Sequence, residues 1–382
     1  MIRSLTAGTR EIDNPEAAIA EIKKTLDLDK NLLKHSLGII SCFSEFEDTG
    51  ACKAICDSLP FDCVGATTCL CASGEEVDQV YFTITVLTSD DCSFKTAAVP
   101  IAGPLEASVA SGLSGLLGKP ETPPALLFGY FPLMNNVSSD VILEAVDSVS
   151  GGIPIFGTVA IDHKLDYSTA KTIYNGEMFR ESLVIAAIYG KPDFSLGIAS
   201  YEEGNVRRQK AIITESKGNI LIGVNGKTVL EYFEETGLSR DDLLVGMGIT
   251  PLIVDYKDGR KPVARAIITL TPENHAICGG VMPVNTALTL ARMDKNDVLH
   301  TTAAAAKPLM AKDKVVFCYS CIARFMALGI NNNAEAEEVK KAAGSARYQF
   351  ACSGGEICPL PDTDGKLKNS FHNYTNVFCR LG

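Results

Sequence analysis

The sequence predicts an α/β (or α+β) protein of two related halves, with mixed β-sheets covered by helices and built from strand–helix–strand units. Two observations carry this. Short continuous apolar runs, suited to strands buried on both faces, alternate with segments whose apolar residues recur at helical spacing. One pattern also appears three times: an apolar strand, a helix, a short strand and a few small polar residues. It runs from LGIISCFS through VGATT, from LLFGYFP through IFGTVA, and from VVFCYSC through FACSGGE. Each can close a parallel pair by a right-handed crossover, and in such units ligands meet the carboxyl ends of the strands. The small residues there, at 66–68, 157–158 and 353–355, leave backbone exposed for a ligand. The alternative is three tight turns with no ligand.

The elements follow in order. Residues 13–28 read as a helix: Asp13 or Asn14 can cap it, Pro15 suits its first turn, and Ala18, Ile19, Ile22 and Leu26 form one stripe. Residues 37–43 read as a buried strand, 49–59 as a short helix and 62–67 as a second strand; 79–87, alternating and rich in β-branched residues, is a third. A helix at 105–117 leads to KPETPP, 119–124, a rigid surface connection. The middle repeats the pattern with a strand at 125–131, a helix from Ser138 or Ser139 to 149, and a strand at 153–160. Strands follow at 172–174, 182–189 and 194–200, with NGE at Asn175 as a turn. Residues 211–215 and 220–224 pair across the turn 217–219, and 228–236 is a short helix. Strands at 252–255 and 264–270 flank DGRKP, and 275–281 and 286–292 continue the strand pattern. A helix at 298–309, a strand at 315–321, a helix at 334–343, a strand at 348–353 and a final strand VFCRL at 377–381 complete the chain, which divides into 1–207 and 208–382.

Composition excludes several function classes. The chain has 382 residues, enough for two or three domains, with 46% hydrophobic and 21% charged residues, as in ordinary globular proteins. It carries 35 Lys and Arg against 46 Asp and Glu, a net charge of −11, and no Lys/Arg-rich block. Neither nucleic acid nor an anionic membrane surface is an expected partner. No apolar run approaches the roughly 20 residues that a membrane-spanning helix requires. The first residues lack a continuous apolar region and a cleavage site, so a cytoplasmic location is expected. The thirteen cysteines are odd in number and scattered, and Cys42, Cys63 and Cys318 fall inside apolar strands. Buried, reduced thiols are the expectation. The glycine-rich places match no phosphate-binding or dinucleotide-binding motif, and no cofactor is expected.

The densest polar cluster is C-terminal. CSGGEICP places Ser353, Gly354, Gly355 and Glu356 directly after an apolar strand, and SFHNYT brings His372 and Asn373 one loop later. CIAR sets Cys321 and Arg324 at the end of another strand. If these strands are neighbours, Arg324, Glu356, His372 and Asn373 converge. A guanidinium binds a carboxylate bidentately while an acid or amide holds an amine, which suits an amino-acid-like ligand. The alternative is a structural Arg324–Glu356 pair. Cys318 and Cys321 have the spacing of a metal or redox pair, but residues three apart on a strand face opposite sides, so no metal is expected. The enzymatic alternative is a hydrolase or transferase acting on a small carboxylate, with Cys321 or Cys352 as nucleophile and His372 as base. No residue is assigned a catalytic role.

VVFCYSCIARFMALG, FACSGGEICP and FHNYT resemble the C-terminal half of the FIST family. There a strand ending in Cys-x-x-Arg precedes a Gly-Glu-Ile-x-Pro turn and a His-Asn-x-Thr strand. SLTAGTREIDNPEAAIAEI resembles the family's opening strand and helix. VGATT stands where the family has Gly-Cys-Ser-Thr, and IFGTVAID where it has Gly-Gly-x-Ala-x-Asp; the Cys-Ser is absent here and Thr158 replaces a glycine. The resemblance runs in order over nearly the whole chain. It implies a FIST N-terminal domain at 1–207 and a FIST C-terminal domain at 208–382, with no output module beside them. It also implies an intracellular sensory protein, rather than an enzyme, that binds a small polar metabolite and signals to a protein partner. The ligand-binding set it suggests is Arg324, Glu356, Ser353, Gly354, Gly355, Asn373, His372, Cys321, Thr158 and Asp162.

Overall fold

In the computed structural model, which describes residues 1–117, 122–134, 137–164, 167–241 and 250–382, each of the three sequence patterns closes a parallel strand pair. Residues 118–121, which include the first part of the expected connection at 119–124, lie outside the described residues.

The first unit runs β1 (Ile2–Thr9), helix Pro15–Leu26, β2 (His35–Cys42), helix Ala51–Asp57, β3 (Cys63–Thr67), β4 (Cys71–Ser73), β5 (Glu76–Asp78) and β6 (Phe82–Ser89). The second repeats it: β7 (Ser93–Pro100), helix Leu105–Leu117, β8 (Leu126–Phe131), helix Ser139–Ser150, β9 (Ile155–Val159), β10 (Thr172–Tyr174), β11 (Glu177–Phe179) and β12 (Ser182–Tyr189). The third opens with β13 (Phe194–Ala199) and is then interrupted. The insertion contains β14 (Val206–Lys217), β15 (Ile220–Val224), β16 (Lys227–Thr228), helix Val229–Glu235, β17 (Leu252–Asp255), β18 (Val263–Arg265), β19 (Ile267–Leu270), β20 (Ala276–Cys278) and β21 (Ala287–Ala291). The third unit resumes with helix Lys295–Ala306, β22 (Val315–Cys321), helices Ile322–Ala327 and Ala334–Ala343, and β23 (Arg347–Ser353). It closes with β24 (Glu356–Ile357), β25 (Leu360–Pro361), β26 (Leu367–Lys368), β27 (Phe371–His372) and β28 (Asn376–Leu381).

Each unit orders its strands alike: first strand, last strand, then the parallel pair, giving β1-β6-β2-β3, β7-β12-β8-β9 and β13-β28-β22-β23. The strands that follow each parallel pair leave their own sheet. β4 and β5 join β23, β10 and β11 join β3, and β24 and β27 join β9. The exchange is cyclic, so three six-stranded sheets are laced to one another. Their inner faces meet in one core containing Ile39, Phe128, Phe156, Phe317 and Tyr319. Their outer faces are covered by helices, through Ile22 and Ile55, Leu113 and Ile142, and Ala306 and Val339 respectively. Central strands buried on both faces read as continuous apolar runs for this reason.

Local chemistry sets the boundaries. Asn14 accepts from the Ala17 amide at 3.0 Å and Pro15 opens the first helix, which stops at Leu26 because Asp27 turns left-handed at φ 45°. The helix expected at 298–309 starts at Lys295, because Asp294 and Asp297 form a reciprocal capping box. Asn175 and Gly176, at φ 50° and 78°, make the tight β10–β11 turn. The inserted sheet has its own core, with Ile213, Val224, Phe233, Leu252 and Leu288. It meets the third unit through Ile253, Ala264, Cys321, Ala323 and Tyr374. The division expected at 207/208 falls two residues into β14.

Candidate functional site

A cavity of about 270 Å³ opens at the carboxyl ends of β9 and of the β22/β23 pair, beneath the inserted sheet. Its floor is Cys321, Ile322, Ala323, Gly354 and Asn373, from the third unit. Leu133, Met134, Ile161, Tyr167 and Arg180 from the second unit form one side. Asn219, Ala266, Ile267, Ile268, Thr269, Ile277 and Gly279 of the insertion form the roof. The lining is mostly apolar, with a few amides and one guanidinium, the usual make-up of a small-molecule site. Arg180 is exposed at the edge and makes no ion pair among the described residues.

Of the ten residues expected from the sequence, Cys321, Gly354 and Asn373 line this cavity. Asn373 Oδ1 accepts from the Ala266 amide at 3.3 Å, tying the floor to the roof. Thr158, Ser353 and Gly355 lie beside it in a closed chain. Thr158 Oγ1 donates to Ser353 Oγ at 2.7 Å, Ser353 Oγ donates to the Gly355 carbonyl at 2.6 Å, and the Gly355 amide returns to Ser353 Oγ at 3.1 Å. Glu356 is fully buried; its Oε2 accepts from Thr375 Oγ1 at 2.7 Å and, among the described residues, its Oε1 has no hydrogen-bond partner. Burial pushes its carboxyl well above the ordinary range. The Cys321 thiol is also raised, by burial first and by the Glu356 carboxylate second.

The structural Arg324–Glu356 pair, the alternative that the sequence offered, does not form. Arg324 is fully buried and its Nε donates to Glu335 Oε1 at 2.9 Å. Its other nitrogens donate to the Val298 and Tyr374 carbonyls and to Thr301 and Thr302. Glu335 also accepts from Thr302, Ser320 and Asn376. The cause is the helix Ala334–Ala343, which lays Glu335 against the end of β22, whereas Glu356 leaves its own unit to pair with β9. His372 is turned into the core, with Nε2 2.8 Å from the Cys358 carbonyl, and burial lowers its pKa to about 4. Asp162 closes its own loop, accepting from the Lys164 and Thr169 amides at 2.9 and 2.6 Å.

The sequence reading missed the roof of the cavity and Arg180, because short strands with ordinary apolar residues carry no local mark of a site. Glu335 did leave a signal: it shares a helical stripe with Ala336, Val339 and Ala343, all buried.

The model of the FIST N domain matches residues 36–227 and that of the FIST C domain residues 228–359. The chain belongs to the FIST family. That family is associated with the sensing of small ligands in signalling. Its two domains meet at 227/228, inside the inserted sheet, so the two halves of this FIST protein share the sheet that roofs the cavity. No curated protein matches the chain. Among solved structures it is similar to cyanuric acid hydrolase, over 100% of this chain and 98% of that one, at 7% identity and a TM-score of 0.37. Among the described residues no helix is long and apolar enough to cross a membrane. All thirteen cysteines are buried and unpaired by disulfides.

Proposed function

We propose that this FIST protein senses a small amphipathic carboxylate, of the amino-acid type, bound in the cavity under the inserted sheet. The observation that carries the reading is that the walls come from the second unit, the third unit and a separately cored insertion. A molecule touching all three favours the arrangement in which they are closed on it, and that preference is what a sensor needs. The ligand's apolar body would rest on Leu133, Ile161, Ile267 and Ile322, its amine on the Asn219 and Asn373 amides, and its carboxylate on Arg180. Arg324, held by Glu335, is replaced in that role by Arg180. The inserted sheet would present the bound state to a protein partner. The abundance of buried free thiols supports a reducing, cytoplasmic setting.

The enzymatic alternative is weaker. A thiol nucleophile works as the thiolate, and burial holds the Cys321 and Cys352 thiols in the neutral form. His372, its ring nitrogen bound to a backbone carbonyl, is no base for either.

Thermal unfolding in the presence of amino acids and small carboxylates tests this. A ligand at 100-fold its Kd should stabilise the fold by about 2.7 kcal/mol. Arg180→Ala should remove that gain, and Cys321→Ser should largely keep it. Turnover of a stabilising ligand that stops in Cys321→Ser would show that the protein is an enzyme.

A further inference from the structure

Four cysteines gather under one short helix of the first unit. Cys52 and Cys56 stand four residues apart on helix Ala51–Asp57 and share the face packed on the outer side of the first sheet. Cys42 ends β2 and Cys63 begins β3; the parallel register sets Cys42 beside Thr67 and Gly38 beside Cys63. The strand cysteines are therefore about four residues apart along the sheet, on the order of 13 Å. The two helix cysteines, about 6 Å apart in rise, span the space between them. The result is a file in which Cys42 neighbours Cys52, Cys52 neighbours Cys56, and Cys56 neighbours Cys63.

A file is not a metal site. Tetrahedral zinc needs four sulfurs converging on one point at about 2.3 Å. Among the described residues no group of three or more ligating side chains is placed to hold a metal. Adjacent thiols in a row do allow disulfides between neighbours. We propose that this file is an oxidative modification site, at which a hydroperoxide oxidises Cys56 and Cys63 resolves the product to a Cys56–Cys63 disulfide.

The step balances. The Cys56 thiolate attacks a peroxide oxygen, the O–O bond breaks, and hydroxide or alkoxide leaves; sulfur loses two electrons and becomes a sulfenic acid, while the peroxide is reduced. The Cys63 sulfur then attacks the sulfenic sulfur, the S–OH bond breaks, and the hydroxide leaves as water with the Cys63 proton. Three features select Cys56. It is 6% exposed, whereas Cys42, Cys52 and Cys63 are at 0%. Its helix has seven residues and begins at Gly50, with φ 75° and no side-chain cap, so it opens locally at low cost. The neighbouring Cys52 and Cys63 thiols also hold the Cys56 pKa low, which favours the reactive thiolate. The proposal is independent of the ligand cavity.

The test uses the reduced full chain and hydrogen peroxide, with alkylation under denaturing conditions and peptide mapping by mass. The expected result is the loss of two thiols, recovered as one Cys56–Cys63 disulfide that dithiothreitol reverses. Cys56→Ser should slow that loss by at least about tenfold, while Cys352→Ser should leave it unchanged; Cys69 and Cys352 are also neighbours but lie outside the file. Cys63→Ala is the second variant: it should accumulate a Cys56 sulfenic acid that dimedone traps. Retention of all thiols at doses that oxidise free cysteine would overturn the proposal. So would a disulfide mapped elsewhere, or a Cys63→Ala protein that gives no dimedone adduct on Cys56.

Discussion

His372 and Glu356 face each other across β24 and β27, and burial acts on them with opposite sign. His372 has its pKa lowered from 6.5 to about 4. Between those values the unfolded chain binds a proton that the folded chain refuses, so stability falls as pH drops through this window. A difference of about 2.5 pKa units corresponds to about 3 kcal/mol when complete. Glu356 is raised above 4.5, so the folded chain keeps a proton that the unfolded chain gives up. Its contribution is full below that value and is lost as pH rises towards the raised pKa. Urea unfolding of His372→Gln should therefore show a flatter acid limb than the native chain. Glu356→Gln, which keeps an acceptor for Thr375, should gain on the native chain as pH rises from 4.5 to 8. Curves parallel to the native one would mean that these groups titrate normally in the fold.

Arg324 belongs to the same scale. It lies just past an apolar strand, as its place in the sequence suggests, and the carboxylate that holds it is Glu335 rather than Glu356. Gly-Glu-Ile and Cys-x-x-Arg look adjacent as motifs, but the strand exchange carries Glu356 into the second sheet, and no local pattern encodes that. Glu335→Ala leaves a fully buried guanidinium without its carboxylate and should cost about 3–5 kcal/mol in chemical denaturation. Arg324→Met with Glu335→Leu together should cost less than Glu335→Ala alone. A single-variant cost under about 1 kcal/mol, as for a surface pair, would refute the structural role.

At the scale of elements, the three parallel pairs were legible because burial on both faces writes a continuous apolar run. Of the exchanged strands only β10 was, at 172–174 ahead of the Asn-Gly turn. β4, β5 and β11 have three residues each, and β24 and β27 two, too few for a period to show. Edge strand β7 is half-exposed and mixed in composition, so it carries no clean alternation. Close approach within the pairs is written instead in glycine. A Cβ on Gly157 would stand 2.0 Å from the Gly129 carbonyl oxygen, and one on Gly65 2.1 Å from that of Ile40. Backbone cannot retreat as a flexible side chain can. Gly157→Ala should therefore cost about 3 kcal/mol, at the upper end of overpacking effects. Gly115→Ala, which meets nothing within 4 Å, serves as the control and should be neutral or stabilising. Equal melting temperatures for the two variants would show that β8 and β9 have slack.

For the molecule as a whole, the cyclic exchange and the insertion divide the labour. The laced sheets share one central core, and each passes strands to a neighbour, so none is expected to unfold alone. The inserted sheet is different: its core is its own, and it joins the rest through one small cluster and a set of polar contacts that includes the Ala266–Asn373 bond, the Val281 amide to Asp140 Oδ2 at 2.7 Å, the Lys368–Asp258 pair and Arg265. That side chain donates to the Tyr256 hydroxyl at 2.7 Å and the Phe371 carbonyl at 2.9 Å. Its two connections to the third unit also leave side by side, because Val206 pairs with Ala291. Antiparallel partners lie about 4.5–5.5 Å apart, so a two-residue turn can bridge them once residues 207–290 are removed. In the first two units the same junction is only a short loop. The shortened chain should keep slow hydrogen exchange in β2, β8 and β22, where the core lies. It should lose the thermal shift given by carboxylates, because the roof of the cavity goes with the insertion. Loss of protection in those strands would mean that the third unit needs the insertion to fold. A retained ligand shift would place the binding site outside the cavity, since no ligand held by Asn219 and Asn373 together could survive the deletion.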